Sequence, residues 1–394
     1  MSDVPSVKIP EGLVYLDNNA TTACAPEVVA AMAPYWASAF GNAESGHLAG
    51  RIARRAVEAA RTTVADAFDA DPNQIFFTSG ATEGNNWIFQ AFADSNSTAR
   101  RVVASAIEHK SVLNAAKRLE AFGFDVCLLP VTGDGVVDLA AAREAIKPGT
   151  GLVSVQLANN ETGVIQPVSE LVELAHSAGA FFHCDAVQAL GKMPFSLVDL
   201  GVDSAVFSAH KVHGPKGVGF LYLRSGANRF PFPKPLAGGG QERGVRPGTH
   251  NVPGIVGLAK AMELLPDQIA LEKMRRLRDE FEADVLTAIP GSRINGAGAE
   301  RLPNTTNLFV PGTSSELLLS NMPLLCASAG SACNSGVVDS SYVLKAMGLS
   351  GEVAGSSIRL SSSSNTKLQD FDKALKLIVA ARQKVLEACN DFRD

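Results

Sequence analysis

Three observations predict an α/β fold: a mostly parallel central sheet covered by helices on both faces, with a smaller α+β unit toward the C-terminus. Short apolar runs alternate with amphipathic helical patterns through the first two thirds of the 394 residues, the pattern of strands joined by helical crossovers. Two of the runs, 204–208 and 217–223, are separated by a stretch too short for such a crossover, which predicts an antiparallel pair. After Gly254 the texture changes to a long charged amphipathic segment, short strands and a closing helix.

In order, strands are expected at 74–78, 101–104, 125–129, 151–157, 180–185, 204–208 and 217–223. Helices are expected between several of them, at 82–93, 111–122 and 167–178. Beyond these, the spacing predicts one long helix over 256–288, strands near 292–295 and 307–310, and a final helix over 368–389. Hydrophobic residues make up 46% and charged residues 19%, which suits a buried core and excludes wholesale disorder. Lys plus Arg is 35 against 40 Asp plus Glu, a formal charge of −5. That balance argues against nucleic acid as a main partner, because phosphate contacts need a basic surface. No uncharged apolar run approaches the ~18 residues of a membrane span. The first 17 residues carry Asp3 and Glu11 and have no apolar core behind a basic start, unlike a secretory or mitochondrial leader. The six cysteines are scattered without a C-x-x-C pair, which reads as reduced thiols in a cytoplasmic protein. No metal site is expected.

Residues 75–86, IFFTSGATEGNN, run from a strand through a glycine turn into a helix. Backbone N–H groups at such a helix start, with the macrodipole behind them, form an anion site, and Thr82 adds a hydroxyl. The strand AFFHCD ends in Asp185, and SAVFSAHK places Ser208, His210 and Lys211 at the end of the next. A charge at an apolar strand end needs a partner. A pyridinium nitrogen would pair with Asp185, and an aldehyde would form a Schiff base with Lys211; with a phosphate cradle nearby, these are the handles on pyridoxal phosphate. Taken singly, Thr82 also suits a helix cap, and Asp185 with Lys211 a structural ion pair.

The ordered motifs YLDNNATT, FTSGATEGNN, IEHKSV, NNETGVIQP, HCDAVQALGK, FSAHKVHGPKGVG, GGGQERGVRPGT and SAGSACNSG resemble those of the NifS/IscS-type cysteine desulfurases. These belong to the class V aminotransferase superfamily of pyridoxal-phosphate enzymes, and the resemblance runs from about Tyr15 to the final helix. It implies fold type I of these enzymes, with an N-terminal segment over 1–25 packing with the small domain. A large cofactor-binding domain would span 26–255, and a connecting helix with the small domain 256–394.

The resemblance implies that Lys211 holds the cofactor, Asp185 pairs with the pyridine nitrogen and Gln188 with the phenolic oxygen. His109 would stack on the ring and shuttle protons. The Ala81 backbone, Thr82, Ser208 and His210 would bind the phosphate, with Thr249 reaching the phosphate of the other subunit of a homodimer. Asn160 would sit beside the ring oxygen and the substrate carboxylate, which Arg359 would clamp with help from Asn19.

Cys333 lies in a run of small, turn-forming residues, where a thiol is accessible. The motif resembles the persulfide-forming loop of the IscS/NifS branch and not the RxGHHCA pattern of the SufS-like branch. Cys326, in MPLLC, is expected to be buried, and Cys184 to face away from Asp185 across the sheet.

The implied activity converts L-cysteine to L-alanine, leaving a persulfide on Cys333 for an acceptor such as an iron–sulfur scaffold protein or a sulfur carrier, in iron–sulfur cluster or thio-cofactor biosynthesis. A selenocysteine lyase is the nearest rival. A class V aminotransferase without sulfur chemistry and an inactive assembly scaffold are more distant ones. Two positions depart from the family pattern: Ser364 stands where a second arginine is usual, and Ala43 where a proline is usual.

Overall fold

The computed structural model describes residues 10–95, 97–224, 232–330 and 340–391, with 389–391 by backbone alone. Strands follow in the order β1 (Val14–Tyr15), β2 (Ile75–Thr78), β3 (Arg101–Ser105), β4 (Asp125–Leu129), β5 (Thr150–Ser154), β6 (Phe181–Asp185), β7 (Ser204–Ser208) and β8 (Gly219–Leu223). Four more come later in the chain: β9 (Arg293–Ile294), β10 (Thr305–Phe309), β11 (Leu325–Cys326) and β12 (Ser357–Ser361).

The seven-stranded sheet has the order β2-β8-β7-β6-β5-β3-β4. Strands β4, β3, β5, β6 and β7 are mutually parallel, and β8 runs antiparallel to both β7 and β2. Two antiparallel steps therefore return β2 to the direction of β7, so β2, β3, β5, β6 and β7 all end at one edge. Alternation along the strands fills both faces. Val103, Val153, Phe182, Cys184 and Phe207 join one apolar layer, while Val102, Ala104, Leu152 and Val206 join the other. Burial on both faces is what near-continuous apolar strands require.

The expected helix over 256–288 is two helices, Val252–Glu263 and Gln268–Ala288. Pro266 lies in the break, and it cannot donate a helical hydrogen bond. Asp267 then caps the second helix, its carboxylate accepting from the Ala270 N–H at 2.8 Å. The chain also carries elements that apolar spacing did not announce. The two residues of β1 pair in parallel with β11, and β12 forms a small antiparallel sheet with β10 and β9. Cys326, expected to be buried, is half-buried: side chains alternate along β11, and Leu325 takes the buried face. Cys184 is buried with Phe182 in one apolar layer, whereas Asp185 meets Asn85 on the other side of the sheet, the expected opposed facing. No helix among the described residues is long and apolar enough to cross a membrane.

Candidate active site

The shared edge of β2, β3, β5, β6 and β7 opens into a cavity of about 250 Å³, the place where ligands bind in open α/β sheets. Asn19, Ala81, Thr82, His109, Asn160, Asp185, Gln188, Ser208, His210, Lys211 and Arg359 all line it. Thr249 does not; it is exposed on the segment before helix Val252–Glu263. Cys333 lies outside the described residues.

The anion end is built by the turn after β2. Gly80 has φ 147° and ψ 176°, and a Cβ there would come within 3.2 Å of the Ser208 hydroxyl. A side chain at that backbone conformation is strained, so glycine lets the helix Ala81–Ala93 start hard against β7. The Ala81 N–H donates to Ser208 Oγ at 2.9 Å. His210 Nδ1 lies 3.2 Å from Thr21 Oγ1. Burial, then Lys211, Lys216 and Lys192, push its imidazole down to about 4.

Asp185 ends β6 and is nearly buried. Its Oδ2 accepts from Asn85 Nδ2 at 2.9 Å, and its Oδ1 from the Val187 N–H at 3.1 Å. Asn85 is a junction that motif reading missed. Its Nδ2 also donates to Ser111 Oγ at 2.8 Å, and its Oδ1 faces His183 Nε2 at 2.8 Å. Burial pushes His183 down to about 3, so its ring is neutral. The Asn85 oxygen requires the proton on His183 Nε2, and His183 Nδ1 then accepts from Ser204 Oγ at 2.8 Å. The signal was available: Asn85 is an amide on the otherwise apolar face shared by Ala81 and Ile88, four residues after Ala81.

His109 caps helix Lys110–Glu120. Its Nδ1 accepts from the Ser111 N–H at 3.1 Å and lies 2.8 Å from Ser111 Oγ. In the neutral ring that leaves the proton on Nε2. Behind it Glu108 is fully buried; burial first, then the Asp185 carboxylate, push its carboxyl well above the usual range. Lys211, in the short 3₁₀ turn after β7, donates to the carbonyls of Asn19 and Ala20 at 2.5 and 2.8 Å.

The opposite wall comes from the N-terminal segment and the small sheet. Arg359 is 2% exposed. Its Nη1 donates to the Asn160 carbonyl at 3.0 Å and its Nη2 to Asp17 Oδ1 at 2.7 Å. Asn19 donates through Nδ2 to Thr305 Oγ1 at 2.9 Å and to the Asn160 carbonyl at 3.2 Å. The buried Asn160 Oδ1 and Arg359 Nε have no hydrogen-bond partner among the described residues. A buried polar atom without a partner costs about 1–3 kcal/mol, so an acceptor and a donor at this cavity await a polar ligand. With a carboxylate, a lysine amine and a helix start converging there, the donor set fits pyridoxal phosphate. Gln156 and Ser111 also line the cavity; Ser111 lies within the motif IEHKSV, where the resemblance implies no role for it, and Gln156 lies outside every quoted motif. No cluster suited to a metal ion occurs among the described residues.

Comparison with known proteins agrees. The Aminotransferase class-V profile matches residues 14–373. Cysteine desulfurase 2 of Trichormus variabilis is 43% identical over 390 residues, covering 97% of each chain. Cysteine desulfurase IscS of Methanosarcina thermophila is 42% identical, over 94% of this chain and 92% of that relative. The solved structure of a NifS-like protein superposes with a TM-score of 0.87 at 38% identity, over 93% of this chain and 98% of that one. The apo structure of a cysteine desulfurase from Thermococcus onnurineus gives 0.82 at 26% identity, over 96% and 99%. The chain belongs to the class-V aminotransferase family, on its cysteine desulfurase branch.

Proposed function

We propose that this protein is a pyridoxal-phosphate-dependent cysteine desulfurase. It would take sulfur from L-cysteine onto Cys333 and pass it to an acceptor such as an iron–sulfur scaffold protein, leaving L-alanine. The observation that carries the reading is the meeting of Lys211, Asp185, Gln188, His109 and Arg359 around one cavity. When bound, the cofactor supplies an electron sink for charge developing at the substrate α-carbon.

Lys211 would hold the cofactor through its amine, and the same amine is placed to take the substrate α-proton. Asp185 holds the pyridine nitrogen, and its Asn85 hydrogen bond keeps the carboxylate in place. His109 carries a proton on Nε2, the ring atom left after Nδ1 is engaged by Ser111. Arg359 and Asn160 orient the substrate carboxylate, with the Asp17 carboxylate fixing the guanidinium. The Ala81 N–H, Thr82, Ser208 and His210 hold the phosphate, and Thr249 serves the phosphate of a second subunit in a homodimer. Cys333 attacks the substrate sulfur: an S–S bond forms as the C–S bond breaks, and the electron pair stays on the carbon fragment, which is protonated to L-alanine. In support, Ser328 and Arg359 exchange backbone hydrogen bonds of 3.1 and 2.6 Å, five residues before Cys333. On its other side the Tyr342 hydroxyl donates to the Glu108 carbonyl at 2.7 Å, next to His109. In the reducing cytoplasm, where we place the protein, Cys333 would be held as a thiol between turnovers. The remaining divisions of the chain, 1–25, 26–255 and 256–394, follow the same reading.

Purified protein supplied with pyridoxal phosphate and a thiol reductant is expected to release alanine and sulfide from L-cysteine. Cys333→Ser should retain the visible absorption of the bound cofactor and lose sulfide release. Full activity in Cys333→Ser would overturn the persulfide assignment. Turnover of L-selenocysteine alone would make the protein a selenocysteine lyase.

A further inference from the structure

Lys192 has no task in the mechanism above, yet it is 5% exposed and lies one side chain from the cavity. Its Nζ donates to Gln188 Oε1 at 2.5 Å and to Asn19 Oδ1 at 3.1 Å. Among the described residues no carboxylate pairs with it. The charged groups facing it are Lys211, after β7, and Arg359, on β12, the latter held by Asp17. His210 also lies within their field. Burial first, then Lys211 and Arg359, push the Lys192 amine well below its ordinary range. A buried amine among other cations is costly to keep.

The hydrogen bonds show what this amine does to its neighbour. A glutamine amide can face either way, and only its partners decide which end is oxygen. Here both ends are pinned. Lys192 has hydrogens to donate whether or not it is charged, and it donates to the oxygen of Gln188. Gln188 Nε2 donates to the Asn19 carbonyl at 3.1 Å, a group that can only accept. Turning the amide over would set two oxygens face to face at Asn19 and would lose the Lys192 donation to Gln188 Oε1. The second N–H of Nε2 is left for the cavity that Gln188 lines.

We infer that Lys192 is a positioning residue: it fixes the Gln188 amide with nitrogen toward the cavity, making Gln188 an obligate donor to the phenolic oxygen of bound pyridoxal phosphate. This rests on the cofactor reading above. A donor at that oxygen favours its anionic form, so it lowers the pH at which the visible band of the loaded protein titrates.

The test is a pH titration of that band in wild type, Lys192→Met, Gln188→Ala and the double variant, each loaded with pyridoxal phosphate. Lys192→Met is expected to raise the midpoint by about one pH unit. In the Gln188→Ala background the same change should move it by less than about 0.3 unit, because the two residues act as one. If Lys192→Met does not fold, Lys192→Gln replaces it: that amide offers oxygen as readily as nitrogen, so the Asn19 carbonyl alone is left to orient Gln188, and the midpoint should shift in the same direction. A midpoint that stays within about 0.3 unit of wild type, or that moves equally with and without Gln188, overturns the inference while leaving the cofactor in place. Absence of any visible band in wild type would instead refute the cofactor reading on which it stands.

Discussion

The two walls of the cavity are built differently. On the sheet wall, Asp185, Ser208 and Lys211 stand at or just past the ends of adjacent strands β6 and β7, and His109 and Asn160 follow β3 and β5. Their positions come with the parallel sheet itself, and the helix Ala81–Ala93 supplies Asn85 to join them. On the opposite wall, Arg359 and Asn19 are held by bonds between distant segments: Arg359 to Asp17 and to Asn160, and Asn19 to Asn304 and Thr305. The sheet wall carries the cofactor chemistry in our reading, whereas the opposite wall carries substrate recognition and depends on the packing of the whole chain. Changes on the first should damage chemistry with little loss of stability, and changes on the second should damage both.

The largest expected effect lies on the sheet wall. Lys211→Ala should abolish the visible band and lower alanine production at least about 10³-fold, with a melting temperature near that of wild type. On the opposite wall, Arg359→Ala should lower kcat/KM for L-cysteine about 10²-fold. It should also lower the melting temperature by several degrees, because Asp17 and the Asn160 carbonyl lose a shared charged donor. Arg359→Lys should rescue little, since an ammonium cannot reproduce the fork. Equal stability in Lys211→Ala and Arg359→Ala would erase the contrast between the walls.

A smaller effect is expected from Asn85→Ala, which leaves Asp185 and His183 each short of a partner. Turnover should fall about tenfold, the scale of one lost charged hydrogen bond, while L-cysteine affinity is unchanged. The pH dependence of stability sharpens the comparison further. Burial pushes His183 from 6.5 to about 3, so between those values the unfolded chain binds a proton that the folded chain refuses. Stability should therefore be full above about pH 6.5 and fall as the pH drops toward 3, with His210, pushed down to about 4, adding to the trend. Melting curves from pH 7 to pH 4 would check this, and a flat profile would contradict a neutral buried His183. The smallest effect belongs to Ser364→Arg. Ser364 is exposed and does not line the main cavity, so restoring the family arginine should leave KM within about twofold.

Much of the sheet wall was legible because its residues sit at strand ends, where an apolar run stops at a charge. Asp185 and Lys211 announce themselves in this way, and so does the glycine turn before Ala81. The antiparallel pair β7–β8 was legible from the length of its connection alone. What could not be read locally were contacts made by two-residue strands and by polar side chains meeting across the chain. β1 and β11 are too short to have a period, and nothing within VYLDNN says that Asn19 meets Thr305. Lys192 follows Gln188 by four residues, a spacing that lets their side chains meet, but an amphipathic turn shows the same spacing. The helix break at Pro266 was readable in principle, and the run of helix-forming residues on either side concealed it.

The wall made by Asp17, Asn19 and Arg359 has a consequence for how the molecule is born. Asp17 and Arg359, like Asn19 and Ser361, are separated by 342 residues. At ~5–20 residues per second, a ribosome needs roughly 20–70 s to cover that distance. The last strand of the large sheet, β8, ends at Leu223. For the final part of that interval the sheet can therefore stand with its lysine and carboxylate facing solvent while the first segment waits for its partners. Completion of the cavity is thus a late event of synthesis, and any nascent chain that stops before β12 has a sheet without a second wall.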